Sequence, residues 1–185
     1  DQNIIYNYYD EKMQSVKKMM KYGRIEKAQG LEILKRLGGK RSNELWRFTE
    51  PLKVEHIYNE ALKDIKAGKQ VIITANFVED TNLEALGRDI QSFITLMAEK
   101  LEEGGIKFAK LYGGKAKRNI ESIDDFQSGD VQVLLMTPES GGIGVNLDDS
   151  SGIAPRVMYV ASPSYGGDML QQLIGRVSRR NTVSP

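Results

Sequence analysis

The chain has no cysteine among its 185 residues. That excludes disulfides, thiolate metal sites, iron–sulfur clusters and a thiol nucleophile. One histidine, His56, leaves no material for a multi-His metal site or proton relay. No apolar run approaches the roughly 18 residues that mark a membrane span. No signal-peptide pattern opens the chain. The expectation is therefore an intracellular protein, in cytoplasm, nucleus or a virus-infected cell, and not a secreted one. An excess of one charge is missing as well: Lys plus Arg is 26 and Asp plus Glu is 25, a formal +1. Without a global field, any contact with nucleic acid has to come from local patches. The length suits one domain with a small appendage, enough to hide roughly two-thirds of the unfolded surface. The first residue is Asp1 rather than Met, which reads as a cut from something longer.

What is present divides near residue 50. Residues 1–50 read as a basic helical arm and 51–185 as an α/β domain. From Glu11 to Arg47 there are eleven basic residues against four acids, a local +7. Met13, Val16, Met19 and Met20 recur at helical spacing, as do Leu31, Leu34 and Leu37, and Gly38-Gly39 is expected to stop that second helix. The arm is either a solvated charged face over a Met/Leu stripe or a patch facing phosphates. Beyond Pro51, Val54, Ile57, Tyr58, Ala61, Leu62 and Ile65 mark a helix closed by Gly68. Gln70 to Phe77 is a short β-branched run of the kind covered on both faces in a parallel sheet. Leu86, Ile90, Phe93, Ile94, Met97 and Leu101 share helical spacing up to Gly104-Gly105. Lys107 to Tyr112, Val131 to Met136 and Arg156 to Val160 read as further strands. A helix around Ile120, Ile123 and Phe126 and another from Met169 to Arg179 complete the alternation, which predicts a mostly parallel sheet. His56, Trp46 and the tyrosines of 6–9 read as packing.

In such a sheet, ligands gather at the carboxyl ends of the strands. Three ends carry unusual residues. Thr137 to Asp149 holds Gly141, Gly142 and Gly144, which allow close backbone approach to a ligand or simply a tight turn. Within that stretch, Asn146 and Asp148 could cap a helix or bind a hydroxyl or a phosphate-bound water. Gln172, Arg176 and Arg179 fall on one helix face, with Gly175 beside them. Two guanidiniums and an amide there suit phosphate oxygens, or else a surface helix paired with acids. Tyr112-Gly113-Gly114-Lys115 is a turn with a basic tip.

In this order, the elements resemble the C-terminal RecA-like lobe of superfamily 2 helicases and translocases over roughly residues 50 to 180. Gln172-Leu173-Ile174-Gly175-Arg176-Val177-Ser178-Arg179 matches the family's motif VI at every defining position. Thr137 through Leu147 looks like motif V and Val71 to Phe77 like motif IV. The glycine loop from Gly141 to Leu147 and the helix headed by Lys53 are closest to the Swi/Snf-type branch, and the basic stretch from Met13 to Trp46 resembles the inter-lobe linker of that branch. The stretch from Thr137 to the first glycine is one residue longer than in that branch, and Arg180-Asn181-Thr182 departs from its continuation. A viral, phage-type or strawberry-notch-like branch is similar too. The resemblance implies a RecA-like sheet with helices on both faces. It implies ATP with Mg2+, an N-terminal lobe of the same polypeptide as partner, and a nucleic-acid backbone as track, DNA rather than RNA.

A phosphate-cradling GxxxxGK[ST] is absent, since no Gly-Lys pair is followed by Ser or Thr, and no Asp-Glu pair follows a strand. The sequence thus holds half of an ATPase. The resemblance implies Arg176 and Arg179 as arginine fingers, with Gln172, Gly144, Asn146, Asp148 and Gly175 around the nucleotide. Asn76, Gly113, Lys115, Thr137 and Ser140 are expected on the nucleic-acid backbone, and Mg2+ chiefly on the other lobe. Two other classes remain open: a Rossmann-type nucleotide domain, disfavoured because no GxGxxG follows the first strand, and a non-catalytic RecA-like interaction module.

Overall fold

The computed structural model describes residues 1–113, 116–141, 147–149, 152–163 and 167–177. Asp1–Thr49 together with Asp80–Ile90 form one compact unit, and Glu50–Glu79 together with Gln91–Pro185 form another.

In the first unit, α1 (Gln2–Lys21) and α2 (Lys27–Thr49) make a helical hairpin. They cross closely at Gly30, where a Cβ would lie 2.2 Å from the Met20 sulfur. Gly38 and Gly39 do not stop α2, contrary to the sequence expectation. Each glycine costs the helix about 1 kcal/mol. The face carrying Leu37, Leu45 and Phe48 packs into a cluster with Ile5, Tyr9 and Leu83, and that tertiary burial outweighs the local penalty.

The hairpin β2 (Thr81–Leu83) and β3 (Arg88–Ile90) completes this cluster. Here the expected helix from Leu86 is corrected. Its spacing was a coincidence: Gly87 turns the chain at φ +61°, and Leu86 and Ile90 join the Ile5–Tyr9 cluster. The helix proper, α4 (Phe93–Glu103), starts after Ser92, whose Oγ accepts the Thr95 N–H at 3.1 Å. The tyrosines read as packing also carry polar contacts. Tyr9 donates to the buried Glu44 carboxylate at 2.9 Å, and Glu44 also accepts the Glu84 and Ala85 N–H groups.

Glu84 accepts from Lys12 at 2.7 Å, from the Tyr8 hydroxyl at 2.7 Å and from Lys40 at 3.3 Å. These contacts, Lys12 foremost, hold its carboxyl at about 2 instead of 4.5. A depressed carboxyl stabilises the fold fully above its ordinary range and loses that contribution as pH falls from 4.5 toward about 2. The side chain is 44% exposed, so water and salt screen the effect. Hydrogen exchange should therefore show the 81–90 amides losing protection across that window in the wild type. Glu84→Gln should remove the pH dependence.

The second unit holds α3 (Val54–Lys66), preceded by one 3-10 turn at Pro51–Lys53, and a four-stranded parallel sheet. Its strands are β1 (Gln70–Thr74), β4 (Phe108–Leu111), β5 (Val133–Met136) and β6 (Arg156–Val160), in the order β4-β5-β1-β6. Central strands β1 and β5 are buried throughout, as their unbroken apolar runs predict. Alternation sends Val71, Ile73, Val133 and Leu135 to one face, under α3 and α4. Ile72, Leu134 and Met136 face the other side, with Phe126 of α5 (Ala116–Ser128) and Val177 of α7 (Gly167–Val177). The short helix α6 (Pro138–Gly141) follows β5 directly. This is the α/β, RecA-like arrangement expected, with helices on both faces.

Candidate nucleotide and nucleic-acid site at the carboxyl edge of the sheet

Leu111, Met136, Thr74 and Val160 are paired across the sheet, so their strands end level. At roughly 4.8 Å per strand the shared edge spans about 14 Å. The chain leaves it at Tyr112-Gly113, Thr137, Ala75-Asn76 and Ala161-Ser162. Three residues expected on a nucleic-acid backbone, Asn76, Gly113 and Thr137, thus stand along one edge.

Each is positioned by its local chemistry. Gly113 is exposed at φ +73°, a turn conformation that a side chain would strain. Thr137 Oγ1 lies 2.7 Å from Ser140 Oγ and accepts the Ser140 N–H at 3.3 Å, so it caps α6 and holds Ser140 at the same edge. Asn76 is tied twice, its N–H to Glu50 Oε1 at 2.9 Å and its Nδ2 to the Ser162 carbonyl at 3.4 Å.

Glu50 is the edge residue that sequence reasoning missed. It is fully buried, and its second oxygen accepts the Phe77 N–H at 3.3 Å. Burial pushes its carboxyl above the usual range. The Asn76 and Phe77 N–H groups, Ser162 and the Lys53 charge offset part of that rise. Lys53 donates to the Ala161 carbonyl at 2.5 Å and to Ser162 Oγ at 3.3 Å, which binds the β6 end into the same network. An acid before Pro51 gives no periodic signal; only partners 26 residues away reveal its role.

Asp148 lies beside Arg156 at the start of β6. It is 2% exposed, and its carbonyl accepts from Arg156 at 2.6 Å. Arg156 opens β6, at the opposite, amino edge of the sheet. Its guanidinium also donates to Gln70 and Gln127 and lies 4.9 Å from the Phe126 ring centre. Burial pulls Arg156 below its ordinary value, and the Asp149 and Asp148 charges counter this. The arrangement is a structural clamp at that edge.

On α7, Gln172 and Gly175 are exposed, and among the described residues a Cβ at Gly175 would meet nothing within 4 Å. Val177 packs on the core, so the helix keeps a solvent face carrying Gln172 and Gly175. Arg176 follows Gln172 by one turn of α7, its side chain lying outside the described residues. Lys115, Gly144, Asn146 and Arg179 also fall outside them. Among the described residues no three His, Asp or Glu side chains could hold a metal ion. No helix among them is long and apolar enough to cross a membrane.

The family described as helicase conserved C-terminal domain matches residues 52–181. The chain belongs to that family. This helicase C-terminal domain shares its fold with the C-terminal part of the Fun30 ATPase domain. That structure matches at a TM-score of 0.52 and 16% identity, over 71% of this chain and 38% of that one. The helicase domain of Pyrococcus furiosus Hef is more distant, at a TM-score of 0.43 and 18% identity, over 89% of this chain and 31% of that one. A curated relative, "Putative ATP-dependent RNA helicase L364" of Acanthamoeba polyphaga mimivirus, is 27% identical over 122 residues. The match covers 65% of this chain and 19% of that protein, so the helicase C-terminal domain spans about a fifth of the relative's length.

Proposed function

We propose that this chain is the second motor lobe of an ATP-dependent helicase or translocase. It completes a nucleotide site on a companion lobe and grips a nucleic-acid backbone with its own strand-end turns. The observation that carries this is the level carboxyl edge presenting Asn76, Gly113, Thr137 and Ser140, on a domain whose α7 keeps Gln172 and Gly175 in solvent.

The exposed face of α7 fits one half of a nucleotide cleft. It offers the Gln172 amide, and open space at Gly175 for a phosphate or a backbone to approach. ATP, when bound with Mg2+, supplies the triphosphate whose terminal phosphoryl group passes to water. Arg176 and Arg179 place two guanidiniums toward it and neutralise charge that grows on its oxygens. Gln172 orients from the same face. The P-loop lysine, the Mg2+-binding hydroxyl and the acid that positions water belong to the companion lobe, because this chain has neither motif. At the track, small polar groups on the strand-end turns hold phosphates and sugars. They carry no base readout, so grip is independent of sequence and sensitive to salt.

The Gly141–Leu147 loop favours duplex DNA as the track. The name of the mimivirus relative favours RNA as the second reading. One experiment decides both points: ATP turnover by the full-length protein, with and without duplex DNA, single-stranded DNA or RNA. The expected result is stimulation by duplex DNA and no turnover by the 185-residue chain alone. Stimulation by RNA only would move the track to RNA. Turnover by the isolated chain would overturn the two-lobe reading.

A further inference from the structure

Charge in the first unit is sorted along the helical hairpin. Away from its tip, ion pairs join Lys12 and Lys40 to Glu84, and Arg88 to Asp1. From Lys17, about 8 Å beyond Lys12 along α1 at 1.5 Å per residue, the pairing ceases. Lys17, Lys18, Lys21, Arg24 and Lys27 are all exposed, and none forms an ion pair among the described residues. Glu26 is the only acid from Lys12 to Leu31.

Folding alone does not account for these cations. Lys17, Lys18 and Lys21 stand three and four residues apart on one helix face, where like charges repel. The α1 carboxyl terminus can draw benefit from Lys18 and Lys21 through the helix dipole. Lys27 opens α2 instead, where the dipole opposes a cation, and no acid occupies that first turn. The apolar residues beside them are uncovered too. Tyr22 is 69% exposed, with the Lys21 ammonium 6.0 Å from its ring centre, and Met19 and Leu31 are exposed beside the turn. The cluster of Ile5, Tyr9 and Leu83 does not extend to this tip.

We propose that the tip of the α1–α2 hairpin, Lys17 to Lys27, is a second nucleic-acid contact, separate from the strand-end turns. The cations face backbone phosphates, and the Tyr22 ring lies against a sugar or an unstacked base. The ligand class follows from charge complementarity: a polyanion relieves the repulsion among Lys17, Lys18 and Lys21, and a flat aromatic amid cations suits a nucleotide. Choosing nucleic acid over an acidic protein rests on the motor reading above.

The test uses full-length protein and the combined Lys17→Ala, Lys18→Ala, Lys21→Ala and Arg24→Ala variant, all surface changes with little effect on folding. Fluorescence anisotropy with a 30-base-pair duplex and a 30-nucleotide strand, over a salt series, gives the slope of log affinity against log salt. The variant's slope should be shallower by about one for each phosphate it no longer neutralises, up to about four. Tyr22→Ala should weaken the single strand more than the duplex. ATP turnover without nucleic acid should be unchanged. An unchanged slope in the variant, with the wild type binding normally, overturns the tip contact and leaves the motor reading standing. A wild type that binds no nucleic acid overturns both. If poly-glutamate binds the wild type and not the variant, and the nucleic-acid slope stays constant, the tip serves an acidic protein partner and the proposal is overturned.

Discussion

Replacing Arg176 or Arg179 by alanine in the full-length protein should lower ATP turnover by about 10³–10⁵-fold while leaving nucleotide affinity within about tenfold. The reason is where charge develops. The transferred phosphoryl group spreads negative charge over its outer oxygens mainly in the transition state, so a guanidinium aimed there acts on kcat more than on binding. Lysine at either position restores the charge without the planar pair of donors, and recovery should be partial. The fold should survive, because the packing of α7 on the core runs through Val177. Circular dichroism and melting temperature would confirm this alongside a turnover assay. Wild-type turnover in both alanine variants removes the finger assignment.

The second large effect is on stability and sits at Glu50. Glu50→Ala removes a fully buried acceptor shared by two backbone N–H groups at the end of β1. Orphaned buried donors cost about 1–3 kcal/mol each, so the loss should be about 2–4 kcal/mol, read from chemical denaturation. Nucleic-acid-stimulated turnover should fall further than stability alone predicts, because Asn76 loses its fixed position at the edge. Glu50→Gln keeps one acceptor and should cost less. Its pH behaviour follows from sign. The Glu50 carboxyl lies above its ordinary 4.5, so the folded state holds the proton more tightly than the unfolded chain. The stability it contributes is complete below 4.5 and declines as pH climbs through the raised value. Glu50→Gln should lack that decline, and the wild type should lose ground to it as pH rises from mildly acidic to neutral.

The sheet was readable because its burial is two-sided. Val71, Ile72 and Ile73, and Leu134 and Leu135, form runs that only a covered parallel strand accommodates. Strand ends then placed Asn76, Gly113 and Thr137 by topology alone, without any side-chain detail. Local spacing failed where a distant surface decided the outcome. Leu86 and Ile90 fit a helix by period, and it was the cluster around Ile5 and Tyr9 that drew them into a hairpin. Gly38-Gly39 looked like a stop, yet α2 continues because Glu44, Leu45 and Phe48 beyond it have partners on other elements. Asp148 shares a glycine-rich stretch with the nucleotide candidates, and only the structure shows its carbonyl accepting from Arg156 at the start of β6. Glu50 was invisible for the same reason in reverse: one carboxylate in an irregular stretch acquires meaning only from the two N–H groups it receives.

The most direct test of the central claim is a structure of the full-length protein with Mg2+, ADP and a metal fluoride in place of the terminal phosphate. The guanidinium nitrogens of Arg176 and Arg179 should lie about 2.7–2.9 Å from the fluorides, the spacing of charge-assisted hydrogen bonds. Both guanidiniums engaged instead in ion pairs with acids of this chain, or turned from the carboxyl edge, would contradict the account.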